Sequence, residues 1–240
     1  MMKLLLCIAL APLPSIIWLA FYLRKDKHPE PNKMVIKIFL LGAIMIALAA
    51  LLEQGVFEGL KLISLSEKII ILVISFAFIE ELLKYLVIKF GVLKNPCFDE
   101  PIDSMIYLIV SALGFAAAEN IYLLTQISPL SVPIGETIEF ITTRFLGATL
   151  LHALASGIMG YFLAASFCRK SKYRKTLIFG GLIAATILHS VFNYIIILNI
   201  DGVIDVFQRN GFVFILLAGT AIMIHLMFKK INKFRSVCKL

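Results

Sequence analysis

The chain has 240 residues, 60% of them hydrophobic and 16% charged, with a mean hydropathy of +0.96. Soluble domains are roughly 45–50% apolar and about a quarter charged, so a water-soluble globule is a poor fit. The formal net charge of +8 does not point to nucleic acid either. The cations gather in short segments between apolar blocks, as topology-setting residues do, and form no basic stripe with interleaved aromatics.

Crossing the hydrocarbon of a bilayer takes about 20 apolar residues in a helix. Blocks of that order predict seven spans, at 4–23, 34–52, 69–89, 103–124, 141–167, 176–198 and 211–228. The first resembles a signal peptide, with Lys3 ahead of the apolar run and Ala9-Leu10-Ala11 in the manner of a cleavage site. Pro12 follows at once and the run continues to Leu23, which predicts an uncleaved helix. After the second span, 53–66 (EQGVFEGLKLISLS) reads as a short interfacial or re-entrant helix that would make an eighth element. No repeat, low-complexity tract or soluble linker appears, so the expected architecture is an all-α bundle forming a single integral membrane domain over 1–240, with its catalytic core at about 69–198. Of the 23 Lys and Arg residues, seventeen fall in the first, third and fifth loops with their flanks and in the tail, against five on the opposite side and Lys84 within a span. That asymmetry predicts the N-terminus outside and the C-terminus in the cytoplasm. Cys7, Cys97, Cys168 and Cys238 show no C-x-x-C spacing, and Cys238 is too close to the end for a prenylation box.

An ionisable side chain at the bilayer centre costs at least ~2.5 kcal/mol, so its position there calls for a functional or pairing reason. The third span, FAFIEELLKYLVIKF, carries Glu80, Glu81 and Lys84, with the lysine at i,i+4 and i,i+3 from the two carboxylates. The fourth ends GFAAAENIYLL, which puts Phe115 and Glu119 on one face with Asn120 beside them, while Gly114 and Ala118 permit close helix approach. In the fifth, Ala148, His152, Ser156 and Gly160 recur every four residues, and in the sixth His189 and Asn193 share a face. At ~1.5 Å per residue, Glu80, His152 and His189 each fall roughly 15–18 Å below the outer surface, with Glu119 and Asn193 at roughly 8 Å. His225, alone in the last span, reads as structural.

Carboxylates, imidazoles and an amide suit water activation and carbonyl stabilisation, because a desolvated carboxylate is a better general base near neutral pH and His or Asn donates to an oxyanion. The sequence lacks a G-x-S-x-G elbow and an H-E-x-x-H helix, and no cysteine lies at this depth. A zinc site of His152, His189 and Glu119, with another glutamate as base, is the alternative by ligand type; metal-free glutamate chemistry is the preferred reading.

Four patterns in order resemble a known family: Glu80-Glu81-Leu82-Leu83-Lys84 as E-E-x-x-K, Phe115 to Glu119 as F-x-x-x-E followed by Asn120, His152 to Gly160, and His189 to Asn193 as H-x-x-x-N. They are similar to the PrsW family of bacterial intramembrane proteases, related to CAAX prenyl endopeptidases and bacteriocin-processing proteases. Asp103 and Tyr107 also fall in family-like places. The resemblance implies a multi-pass protein of the bacterial cytoplasmic membrane that cuts a membrane protein or peptide, as in site-1 cleavage of an anti-sigma factor. It implies Glu80 or Glu81 as the base, helped by His152, with His189 and Asn193 stabilising the oxyanion, Glu119 as a second acid, and Lys84, Phe115 and Asn120 in support. A secondary transporter with a midplane Glu/Lys/His relay is the rival reading, and a non-catalytic scaffold of the same fold is the third.

Overall fold

The structure is a computed structural model that describes residues 9–65, 68–126, 134–167 and 169–233. Its helices, in chain order, are α1 (Leu13–Leu23), α2 (Asn32–Leu62), α3 (Ile69–Gly91), α4 (Asp103–Gln126), α5 (Ile134–Leu146), α6 (Ala148–Ser166), α7 (Ser171–Ile200) and α8 (Val206–Ile231). Among the described residues there is no β-strand.

Local sequence sets most of these boundaries. Prolines at the start of α1 occupy positions where a helix has amide donors to spare. Asp205 opens α8 with a reciprocal capping box to Gln208. Gly202, at φ 72, turns the chain between α7 and α8. Two departures from the sequence expectation bear on the architecture. Residues 53–62 continue α2 without interruption, so the expected interfacial or re-entrant helix near 53–66 is not a separate element; the chain turns only at Ile63–Leu65. The expected fifth span breaks at Gly147, which separates α5 from α6 with φ −103 and ψ −96.

Five segments are long and apolar enough to cross a membrane: Asn32–Leu62, Asp103–Thr125, Ile141–Ser166, Ser171–Ile200 and Val206–Ile231. The 23 residues of α3 have the length as well, but Glu80, Glu81 and Lys84 put three charges into every 18-residue window of it. On α2, Ile36, Leu40, Ile44, Leu48 and Leu51 are exposed along one side, as suits a face turned to lipid. His225 is exposed on α8.

At the centre, α4 and α6 are the most buried of these helices, and α2, α3 and α7 pack around them. Glycines bring the backbones together. A Cβ on Gly42 of α2 would collide with the Ser111 carbonyl of α4, and one on Gly114 of α4 with the Phe39 carbonyl of α2. On α6, a Cβ at Gly160 would lie 2.6 Å from the Met105 Cα of α4. The small-residue positions anticipated at Gly114 and Gly160 thus serve two different contacts of the same central helix. Trp18 of α1 stacks on Phe145 of α5 and donates its indole N–H to the Phe145 carbonyl at 2.9 Å.

Gly114→Val is expected to lower the thermal unfolding temperature in detergent, at a cost of about 1–3 kcal/mol for forcing two backbones apart. Gly55→Ala, where a Cβ meets nothing within 4 Å, is expected to leave it unchanged or raise it.

Candidate active site

Side chains singled out in three different helices meet around one ammonium group, and a fourth helix joins them through Glu81. Lys84 is fully buried, and its Nζ lies 2.7 Å from Glu81 Oε1, 3.3 Å from Glu80 Oε2 and 2.8 Å from His152 Nδ1. Helical spacing brings the two glutamates to it from its own helix, while His152 comes across from α6. The Phe115 ring of α4 covers the ammonium, with the nitrogen 4.7 Å from the ring centroid. An ammonium has three N–H donors, and here all three have an acceptor.

That arrangement assigns both imidazoles. Because His152 Nδ1 accepts from Lys84, its proton resides on Nε2, which donates to Glu119 Oε2 at 2.9 Å. His189 Nδ1 donates to Glu81 Oε1 at 2.9 Å, so its Nε2 presents a lone pair 3.9 Å from Glu80 Oε2. The two rings stand edge to face, 5.0 Å between centroids. Each histidine therefore has one nitrogen held by a carboxylate and the other directed toward Glu80.

The two neighbouring glutamates have different surroundings. Glu81 accepts from Lys84 and His189 on Oε1 and from Ser156 on Oε2 at 3.2 Å, and its side chain is 1% exposed. Glu80 is 12% exposed and lines a cavity of about 680 Å³ between α2, α3 and α4. Glu119 lines the same cavity, as do Ala50, Glu53, Phe76 and Tyr122. Tyr122 is half exposed, so the cavity reaches the outer surface of the bundle.

Two of these residues were not legible as site residues in the sequence. Arg144, counted there only as an outer-side charge, reaches back from the end of α5 to pair with Glu119 and to donate to Asn120 Oδ1. A cation at the outer end of the expected fifth span is the only signal that the sequence offers for it. Glu53 stood in the segment read as interfacial and instead faces Glu80 and Glu119 across the cavity. Asn120 also donates to the Ala11 carbonyl and to Thr149, each at 3.3 Å, and so ties α4 to the start of α1 and to α6. Asn193, on the His189 face of α7, is partly buried and has no hydrogen bond to any member of the cluster among the described residues.

Residues 30–226 match the family described as PrsW family intramembrane metalloprotease. The chain belongs to this family. Proteins named Protease PrsW from Clostridioides difficile (strain 630) and Bacillus subtilis (strain 168) are each 30% identical to it, over 198 and 189 residues. These alignments cover 79% and 76% of this chain and 79% of each relative. The protein of that name from Oceanobacillus iheyensis is 28% identical over 184 residues, 76% of this chain and 79% of the relative. No solved structure matches the chain. The protein is thus a membrane protease with bacterial relatives.

The family description raises the question of a metal. The trio expected from the sequence was His152, His189 and Glu119, but Glu119 bonds the far nitrogen of His152. The ligand atoms that converge, within 4.8 Å of one another, belong to Glu80, His152 and His189. Two imidazoles and a carboxylate are zinc donors by type, and carboxylates behind both rings are the usual outer support of such a site. Separations of 3.8 Å and 3.9 Å from Glu80 Oε2 to the two nitrogens are a few tenths of an ångström above the roughly 3.4 Å of a tetrahedral zinc. The set therefore fits zinc, provided that Lys84 leaves His152 Nδ1 and rests on Glu81 alone.

Lys84→Met is expected to cost about 3–5 kcal/mol of stability, since it leaves buried carboxylates without their cation. Adding Glu81→Gln should recover part of that loss, a coupling readable from thermal unfolding of the single and double variants in detergent.

Proposed function

We propose that the protein is an intramembrane endopeptidase in which Glu80 activates the attacking water. The carrying observation is the contrast within the glutamate pair: Glu80 borders the cavity, whereas both oxygens of Glu81 are engaged. An unwound segment of a membrane protein or peptide enters from the α2–α4 side and lays its scissile carbonyl against Glu80. Water between them gives its proton to Glu80 and attacks the carbonyl carbon, and Glu80 then passes that proton to the departing amide nitrogen. Glu81 orients His189 through Nδ1, and Glu119 orients His152 through Nε2. Asn193, whose amide is bonded to no other member of the cluster, donates to the developing oxyanion, a contribution of roughly 2.7–4 kcal/mol in comparable sites.

Arg144 holds Glu119, and through it the tautomer of His152. The loops carrying the excess of Lys and Arg face the cytoplasm of a bacterial cell, and the substrate class is a membrane-bound regulator such as an anti-sigma factor. The family description and the pair of carboxylate-backed histidines favour a second version of the chemistry, in which Glu80, His152 and His189 hold zinc. Bound there, the ion would polarise the carbonyl and make its water acidic. Glu119, which lines the same cavity, would then be a further carboxylate able to take a proton.

Both versions predict that Glu80→Gln abolishes cleavage of single-span reporters co-reconstituted in liposomes, by at least about a hundredfold, with folding intact. Glu81→Gln should lose stability as well as activity. Cleavage that survives a strong chelator supports the glutamate-only version, and loss restored by zinc supports the metal version. Wild-type rates in both glutamine variants would refute the assignment.

A further inference from the structure

A second acidic cluster lies at the opposite end of α4 from Glu119 and takes no part in the chemistry above. It is assembled by the α1–α2 connection, which contributes Asp26 and Glu30, and by the first turn of α4, which contributes Asp103. Pro29 and Pro31 flank Glu30 and restrict that stretch to extended backbone. The three carboxylates are 8%, 9% and 1% exposed, and one oxygen from each lies within 4.8 Å of the other two. Tyr107, one turn into α4 and fully buried, donates its hydroxyl to Glu30 Oε2.

Buried carboxylates in contact call for compensating positive charge. In the catalytic cluster Lys84 and Arg144 supply it. Here, among the described residues, no Lys or Arg nitrogen lies within 4 Å of any of the three, and the nearby His28 pairs with Glu100 instead. Asp103 Oδ2 accepts from the amides of Asp99 and Glu100, at 2.9 and 2.8 Å, and the Asp103 carboxyl also bonds that of Glu30. Asp26 Oδ1 accepts from the His28 amide at 3.0 Å, while Asp26 Oδ2 is buried with no hydrogen-bond partner among the described residues. An orphaned carboxylate oxygen, 92% removed from solvent by its residue's burial and beside two other carboxylates, is an independent sign of a missing cationic partner.

We propose that Asp26, Glu30 and Asp103, with the Tyr107 hydroxyl beside them, form a second metal site that takes a hard divalent cation of calcium size. The donors are all oxygen and include no imidazole or thiolate, which selects calcium or magnesium over zinc. Magnesium dehydrates reluctantly and keeps several waters when bound, so a buried cage of protein oxygens favours calcium. The ion ties the α1–α2 connection to the first turn of α4. Glu119 lies sixteen residues further along α4, about 24 Å at 1.5 Å per residue, so the ion acts on the protease centre only by holding that helix in place.

The full chain, purified in detergent and stripped with a chelator, is titrated with calcium, magnesium or nothing during thermal unfolding. Calcium is expected to raise the unfolding temperature by about 5 °C or more at saturation, magnesium by less. Asp26→Asn and Glu30→Gln are each expected to weaken that response at least about tenfold in concentration. Terbium, a calcium-sized lanthanide excited through tyrosine, gives a reading that needs no ligand variant. Calcium-displaceable emission is expected in the wild type and should fall at least about threefold in Tyr107→Phe, which keeps the ring and every carboxylate. A wild type with neither a calcium shift nor displaceable terbium emission overturns the site and leaves shared protons as what holds the carboxyls together. A calcium shift undiminished in both Asp26→Asn and Glu30→Gln overturns it as well, placing the ion elsewhere.

Discussion

One ammonium group in the middle of the bundle governs the arrangement of the rest. Lys84 cannot remain charged in hydrocarbon without partners, and three carboxylates cannot crowd around it without a cation. The balance is reached only when α3, α4, α6 and α7 all contribute: two glutamates from α3, the Phe115 ring and Glu119 from α4, His152 and Ser156 from α6 and His189 from α7. Every hydrogen bond in this set is also a constraint on helix rotation. With imidazoles neutral, Glu80, Glu81 and Glu119 against Lys84 and Arg144 leave one surplus negative charge, which suits a site that takes up a proton or binds a cation.

Such short side-chain bridges require that the helices come very close. The glycines of α2, α4 and α6 provide this, since carbonyls and Cα atoms of the neighbouring helix occupy the volume that a Cβ would need. In a bilayer, where burying apolar surface from lipid gains little, this backbone proximity and the interhelical hydrogen bonds are the principal sources of packing energy. The break at Gly147 has a related purpose, because it lets Arg144 leave the line of α6 and turn back onto Glu119 and Asn120.

Helix α4 has buried acids at both ends, and the contrast between them is informative. At Glu119 the compensating cations belong to the protein, and the carboxylates border a cavity that a substrate can reach. At Asp103 the surrounding groups are two further carboxylates and a phenol, packed under Phe98, whose ring stacks on Tyr107. The protein thus answers the same electrostatic problem from within at one end and leaves it to an outside charge at the other.

Much of this was legible in the sequence, since composition and block length dictate a helical membrane bundle whatever the contacts. The i,i+3 and i,i+4 spacings of Glu80, Glu81 and Lys84 guarantee their pairing on any helix, and the four motifs in order carry the family. The distinction between Glu80 and Glu81 was not legible, because residues 100° apart on one helix are told apart only by what packs on each side. The same holds for the exchange of Glu119 for Glu80 beside the two histidine nitrogens, which depends on ring orientation, and for Arg144 and Glu53, whose partners lie on other helices. Local propensity and periodicity are written into neighbouring residues, so the sequence alone determined most of the helices and the polar residues they bury. Which of those polar groups touch, and which one faces the cavity, depends on the rotation and crossing of helices far apart in the chain, and only the tertiary structure decided it.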